Sequence, residues 1–499
     1  MSGFGTSTLR RGLSVIALAA VCAWSLAPHQ PVSAAEESAP TSSAATGDTL
    51  YATLLPAVGE VETPQLAVRW PGHPSAALTV SLHDAGRDTP LVAGRPLDTG
   101  ANLVALPLPA RAAGALRLWV RDAAGRVLHT STRDLDALRR TSGFGWTATD
   151  TRAAAAPGLY AGGTFTRAGG AAVDHLATWN GSAWSRPGGG SGAGPDGSVT
   201  ALVVYEGDLI AGGSFLTAGG VRVNGIARWD GTGWAALTGS SGTGVMTNSL
   251  DFVDALTVFD GDLIVGGQFL RAGGVTVNHV ARWDGAEWRA LAGPGGAGVD
   301  VPSVWDLAVH DGALIVGGGF SQAGGTAANG IARWSGTAWS TLGTGFNGDV
   351  LALAVQDGAL VATGGFTQAG GTAANYVAEW TGSAWAALGA GLNAEGRALT
   401  VFGAELVVGG TFTQAGGAAA NYVARWDGAR WAALGGGTED IVLALAVQGG
   451  RLVAGGFFAR AGGVAVNHVA AWNGSAWSAL GGSAGVGTDN GVYALHTVV

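Results

Sequence analysis

Lysine is absent from the 499 residues, so all 26 basic side chains are arginine, and charged residues make up only 12% of the chain. That pattern fits codon bias better than mechanism. It leaves no basic cluster of the kind that neutralises phosphates, so binding to nucleic acid or to an anionic membrane surface is not expected. Cysteine occurs once, at Cys22, which excludes a disulfide framework within the chain and any paired-cysteine metal motif. HExxH, GxSxG and carboxylate-rich calcium loops are also missing, so no metal, no cofactor and no ready-made catalytic constellation is read from motifs.

Two features stand against these absences: 87 glycines, and a 47% hydrophobic content. A disordered glycine-rich chain lacks the apolar surface to offset ordering entropy, whereas this one has it in quantity. The combination indicates a turn-rich all-β protein.

The first 34 residues have the form of a secretory signal peptide. Arg10 and Arg11 precede an apolar run from Gly12 to Ala27, and Val32-Ser33-Ala34 offers a small-residue cleavage site. The sixteen-residue run is short for a membrane span, which needs ~20 residues, so no span is expected after cleavage. Val21 before Cys22 fits a lipoprotein signal poorly. Cleavage after Ala34 would leave 24 basic and 35 acidic residues, a formal charge of −11, and no cysteine. A secreted, periplasmic or envelope location is expected.

Residues 35–47 read as a flexible spacer. Over 48–132 short β-like runs (Gln65–Trp70, Ala77–Leu82, Ala101–Leu108, Leu116–Val120, Arg126–Thr130) suggest a small immunoglobulin-like β-sandwich. A linker follows over 133–148, with a short polar helix expected at Arg133–Arg140.

From 149 to 499 the chain repeats itself. Seven tryptophan pairs stand five residues apart: Trp179/Trp184, Trp229/Trp234, Trp283/Trp288, Trp334/Trp339, Trp380/Trp385, Trp426/Trp431 and Trp472/Trp477. Each unit divides into four strands separated by turn signals. In the second these are Val199–Tyr205, Asp208–Phe215, Gly225–Asp230 and Gly233–Leu237. Four strands per ~40–50 residues is the signature of a β-propeller blade.

The first tryptophan follows the opening strand's first residue (Val199, Val253, Val304, Val350, Gly396 or Val442) by 30 positions in all six cases. Length variation falls only between the second tryptophan and the next opening strand, at 15, 19, 16, 11, 11, 11 and 15 residues. Those loops lie on one face of a propeller. The terminal run from Val492 to Val499 is an opening strand with no blade behind it. It is expected to complete the first blade and close a seven-bladed ring, in preference to Thr149–Ala156.

Fourteen tryptophans suggest carbohydrate stacking, but identical placement around a ring favours core packing in most blades. Asn224, Asn278, Asn329, Asn375, Asn421 and Asn467, with Asp174, are expected to fix turns. His175, His279 and His468 share one repeat position too widely separated for common metal coordination. Arg228, Arg282, Arg333 and Arg425 directly precede a tryptophan, with an aspartate following in three of those blades (Asp230, Asp284, Asp427), and surface pairing or stacking is expected. The sequons at Asn180 and Asn473 fall in hairpin turns.

Symmetry breaks at the opening strand's second residue, which is Thr200, Asp254, Trp305, Leu351, Arg397, Leu443 or Tyr493. If that strand is innermost, Asp254, Trp305, Asp306, Arg397, Tyr493 and His496 form a ligand-binding set at the channel or its mouth. The alternative is that they wedge between blades or line an inert channel.

The string from Asp262 to Phe269, with Ala272-Gly273-Gly274 and the run from Asn278 to Gly285, resembles the delta-60-like repeats of secreted bacterial β-propeller proteins. It is also similar to repeats in a fungal cortical cell-polarity marker. The Gly-Gly pair resembles that of Kelch blades, although the Kelch tyrosine/tryptophan spacing is not matched. The resemblance covers about 150–499 and implies a propeller; it carries no catalytic residues with it.

Two functions remain open. One is an exported, monomeric, non-catalytic scaffold that binds a protein or a carbohydrate at the cell surface or in the envelope. The other is a polysaccharide-active hydrolase or lyase with its site on the long-loop face or channel mouth.

Overall fold

A computed structural model describes residues 155–498 except 190–192, 247, 249, 301–302 and 483–484, together with isolated strand segments between 25 and 134. The chain divides into two compact units, Met1–Asp150 and Thr151–Val499. The expected cleavage site, spacer and most of the linker lie outside the described residues, as do 135–140 of the expected helix. Arg133 and Asp134 end a strand instead.

The first unit contains two antiparallel four-stranded sheets. One joins Ser25–Leu26, Leu50–Leu55, Gln65–Arg69 and Leu103–Pro107. The other runs in the order Pro90–Pro96, Thr79–Asp84, Ala115–Arg121, Val127–Asp134. Leu50–Leu55 and Pro90–Pro96 were not expected as strands, being short runs without clear alternation.

The second unit is a seven-bladed propeller of four-stranded antiparallel sheets. In blade two the order is Ser198–Tyr205, Asp208–Ser214, Ile226–Trp229, Trp234–Ala236, and blades three to seven repeat that meander. Blade one is discontinuous in sequence. Its innermost strand is Val492–Val498, paired with Gly158–Gly163, so the C-terminal strand closes the ring and leaves no open edge at the seam. The seven opening strands neighbour one another around the axis and form the inner wall.

The paired glycines on the second strand have separate causes. A Cβ on the first would collide with the opening valine of the next blade: Gly212 would meet Val253 at 2.5 Å and Gly409 would meet Val442 at 2.4 Å. Blade five inverts this packing. Thr363 replaces the glycine, and Gly396 replaces the valine it would strike. A Cβ on the second glycine would approach a carbonyl at the start of the opening strand, as one on Gly213 would Ser198 at 2.0 Å. Backbone approach that close admits glycine alone.

The tryptophan pairs pack with ring centroids 5.1–5.4 Å apart, in clusters that join neighbouring blades. In six blades the second indole Nε1 also donates to a carbonyl of the preceding blade, at 2.8–3.2 Å. Trp184 bonds Leu480, Trp288 bonds Leu237, Trp339 bonds Leu291, Trp385 bonds Leu342, Trp431 bonds Leu388, and Trp477 bonds Leu434.

The variable loops are latches as well. The first glycine of each Ala-Gly-Gly donates its N–H to the preceding loop, as Gly273 does to Gly244 at 2.7 Å and Gly370 to Gly345 at 2.7 Å. The longest loop folds into a small hairpin, Thr238–Gly239 with Gly242–Thr243, held on blade three by Glu287, which accepts from Ser240 N–H and Oγ. Asparagine amides tie the same loops: Asn224 Nδ2 donates to Thr243, and Asn375 Nδ2 to Ala390. Arg228, Arg282 and Arg425 pair with Asp208, Asp262 and Glu405 on the neighbouring strand rather than with the turn aspartates, whose carboxylates are taken by turn N–H groups.

Candidate functional site

Every opening strand bulges at its second residue: pairing jumps from Val199 to Ala201, from Val253 to Ala255, from Val304 to Asp306, and likewise in the remaining four blades. A bulged residue leaves the ladder, and its side chain is re-aimed. It therefore escapes the constraint that keeps the rest of the strand uniform. The bulge lies at the strand's first end, so the seven positions ring one end of the inner wall, the mouth of the ring.

The residue before the opening strand and the residue after the Gly-Gly pair border the same mouth, and both also vary. After the glycines stand Thr164, Ser214, Gln268, Gly319, Gly365, Thr411 and Phe457. At Gly319 a Cβ would lie 2.9 Å from Asp349 Oδ1, whereas at Gly365 the nearest atom is Glu395 Oε1 at 3.5 Å. Space thus opens at Gly365. A cavity of about 440 Å³ occupies it, lined by Trp305, Asp349, Leu351, Gly365, Glu395 and Arg397.

Arg397 donates to Glu395 Oε2 at 2.7 Å, and both side chains are about 40% exposed. An exposed pair of this kind adds little stability, so it is available to reorganise around a ligand. With Asp349 the cavity carries two carboxylates against one guanidinium, a balance that disfavours anionic ligands. Trp305 supplies an indole whose Nε1 is buried and has no hydrogen-bond partner. At the same bulge position on the adjacent strand, Asp254 has a buried Oδ2 that is also without a partner, and burial pushes its carboxyl up to about 7. Each of these two buried groups carries the cost of an unmade hydrogen bond.

Of the residues singled out from the sequence, Trp305 and Arg397 share this cavity, and Asp254 adjoins Trp305 on the next strand. Asp306 does other work. Its carboxylate accepts from the Leu307 N–H at 2.8 Å and from the Leu353 N–H of the next blade at 2.7 Å, which staples blades four and five. Burial raises its carboxyl to about 6 despite those bonds. Tyr493 stands in blade one, edge-on to Phe457 at 5.7 Å. His496, farther along the same strand and opposite Tyr160, is held below the usual histidine value by burial.

Asp349, Glu395 and Gly365 lie away from the second strand position, where the blades differ most plainly, so the sequence pattern does not single them out. The position two residues before the bulge (Ser198, Phe252, Ser303, Asp349, Glu395, Ile441, Gly491) carries the acidic pair. His175, His279 and His468 hold left-handed turns at φ 67°, 69° and 70°, each with a buried, unpartnered Nδ1. Among the described residues no group of three or more metal-ligating side chains occurs, and no helix is long and apolar enough to cross a membrane.

The fold is a β-propeller, and the blades differ from one another at this mouth. The family described as a domain of unknown function (DUF5122) beta-propeller matches residues 260–283, the second strand and first tryptophan of blade three. No curated protein matches the chain. Among solved structures, the extracellular domain of a proposed one-component system from B. thetaiotaomicron is similar at 11% identity and a TM-score of 0.37, over 68% of this chain and 39% of that one. This chain therefore spans well under half of that structure. An auxiliary nutrient binding protein from Bacteroides ovatus is similar at 9% identity and a TM-score of 0.30, over 81% of this chain and 94% of that one.

Proposed function

We propose that the chain is an exported, non-catalytic binding propeller that takes its ligand at the channel mouth of blades three to six. Protein and glycan ligands both suit a polar mouth, and the chemistry favours a neutral glycan. The carrying observation is the cavity beside Gly365, where Trp305, Asp349, Glu395 and Arg397 line one space. A sugar hydroxyl both accepts and donates, so it can bond the guanidinium and a carboxylate of this lining. The indole offers a face for the ring's C–H surface, while Asp349, Glu395 and Arg397 supply further acceptors and donors.

Isothermal titration of the full chain with xylohexaose, cellohexaose, mannohexaose and chitohexaose tests this reading. Binding is expected with at least one of them. It should be lost in Trp305→Ala and in Gly365→Thr, which restores the residue that blades one and six carry there. Binding that survives both changes would remove the channel mouth from the account.

A second reading has one observation behind it: Asp349 and Glu395 line one cavity, as a carboxylate pair acting on a glycosidic bond would. Release of reducing ends, abolished by Asp349→Asn or Glu395→Gln with binding retained, would establish it over the first.

A further inference from the structure

The seam between blades one and two departs from the other six. At the position occupied by Leu237, Leu291, Leu342, Leu388, Leu434 and Leu480, blade one carries Pro187. Its last strand stops after two residues, Trp184–Ser185, where the others continue for three. The chain then turns through a short 3-10 segment, Pro187–Gly189. Proline cannot donate to the ladder and fixes its own φ, so the extended course that presents the leucine carbonyl elsewhere is lost. Trp234, the indole that this carbonyl would hold, has no such bond among the described residues and is only partly buried; the other six second tryptophans are buried.

A cavity of about 400 Å³ lies beside it. Val173 and Leu176 lie buried beneath it, Trp229 and Trp234 give it an aromatic side, and Thr232 and Arg186 stand at the polar edge. Arg186 is oriented by Asp174 at 3.0 Å and by the Ala172 carbonyl, which its Nε reaches at 2.8 Å. Asp174 is itself a departure, standing where the other six blades carry asparagine.

We infer that this seam is a second binding site, for a saccharide ring stacked on Trp234. A pyranose matches the lining in kind. Its C–H face covers an indole, and its hydroxyls accept from the released Nε1 and from the edge donors. The tryptophan girdle is packing in six blades and a ligand platform in the one blade where the latch is missing. This site stands independently of the channel mouth.

Indole ¹⁵N–¹H spectra of the full chain, with the Trp234 signal assigned through Trp234→Phe, test the inference. Before any ligand is added, the Trp234 N–H should exchange with solvent much faster than the six latched indoles. Pro187→Leu should slow it to their rate by restoring the carbonyl. Titration with xylohexaose, cellohexaose, mannohexaose and chitohexaose should shift the Trp234 signal with at least one of them. Pro187→Leu should abolish that shift. Trp234→Phe, which keeps an aromatic face but removes the N–H donor and the five-membered ring, should weaken binding at this site about three- to tenfold. A Trp234 signal that none of the four sugars moves, or affinity untouched by both variants, overturns the proposal. Because Trp305→Ala leaves this seam intact, loss at one site and loss at the other read separately.

Discussion

The tryptophan girdle between the blades and the bulge ring at the channel mouth come from the same repeat, yet one is uniform and the other differs in nearly every blade. The girdle sits where each blade must fit its neighbour, so geometry dictates the residue, and six second indoles make the same bond to the same carbonyl position. The bulge frees one side chain per blade from the ladder, and that position holds Thr200, Asp254, Trp305, Leu351, Arg397, Leu443 and Tyr493. Uniformity marks the scaffold, and departure from it marks the positions to which the proposed binding is assigned.

The contrast can be broken most severely at the glycines. Gly213→Ala forces a Cβ to 2.0 Å from the Ser198 carbonyl and should cost about 3 kcal/mol or more, or prevent folding, whereas Gly365→Ala has its nearest neighbour at 3.5 Å and should be nearly neutral. Denaturation midpoints of the two variants measure the difference. Blade five offers a sharper version. Gly396→Val alone drives a side chain into Thr363 and should cost about 2 kcal/mol, and Thr363→Gly alone leaves a void and removes the Thr363 hydroxyl's bond to the Tyr376 carbonyl at 2.6 Å. The double variant recreates the packing of the other seams, so the two costs should largely cancel, with a coupling of about 2 kcal/mol.

Smaller effects follow at the indoles. Trp385→Phe should cost about 1 kcal/mol through its lost bond to Leu342, while Trp234→Phe should cost close to nothing. At the mouth, Asp254 contributes a pH dependence. Burial raises its carboxyl from 3.8 to about 7, so the folded state holds its proton more tightly than the unfolded chain does. The contribution is complete below pH 3.8, is lost progressively up to about pH 7, and is level above that. Asp254→Asn, which stays neutral, should match the parent in acid and exceed it in stability near neutral pH. The difference between the two pH–stability curves isolates this residue.

The scaffold was legible because its constraints recur seven times: spacing, glycine pairs and tryptophans all report one packing problem solved repeatedly. Closure by Val492–Val498 was legible too, from an opening strand that had no blade of its own. The site was legible only in part. Trp305 and Arg397 stood out as unlike residues at like positions, but Asp306 looked equally promising and is a backbone staple between blades. Nothing in one chain separates a carboxylate that faces a cavity from one that faces the next strand, because the bulge sets that direction. The long loops looked like ligand-binding insertions, yet the longest is folded onto its neighbour through Gly273 and Glu287. Pro187 was visible in the sequence. Its meaning needed the leucine carbonyls of the other seams.

The most direct test of the division between scaffold and site is one indole ¹⁵N–¹H titration of the full chain with the four hexasaccharides. The account predicts that the Trp305 signal shifts while those of Trp184, Trp288, Trp339, Trp385, Trp431 and Trp477 stay fixed. Shifts among those six latched indoles, with Trp305 unmoved, would contradict it.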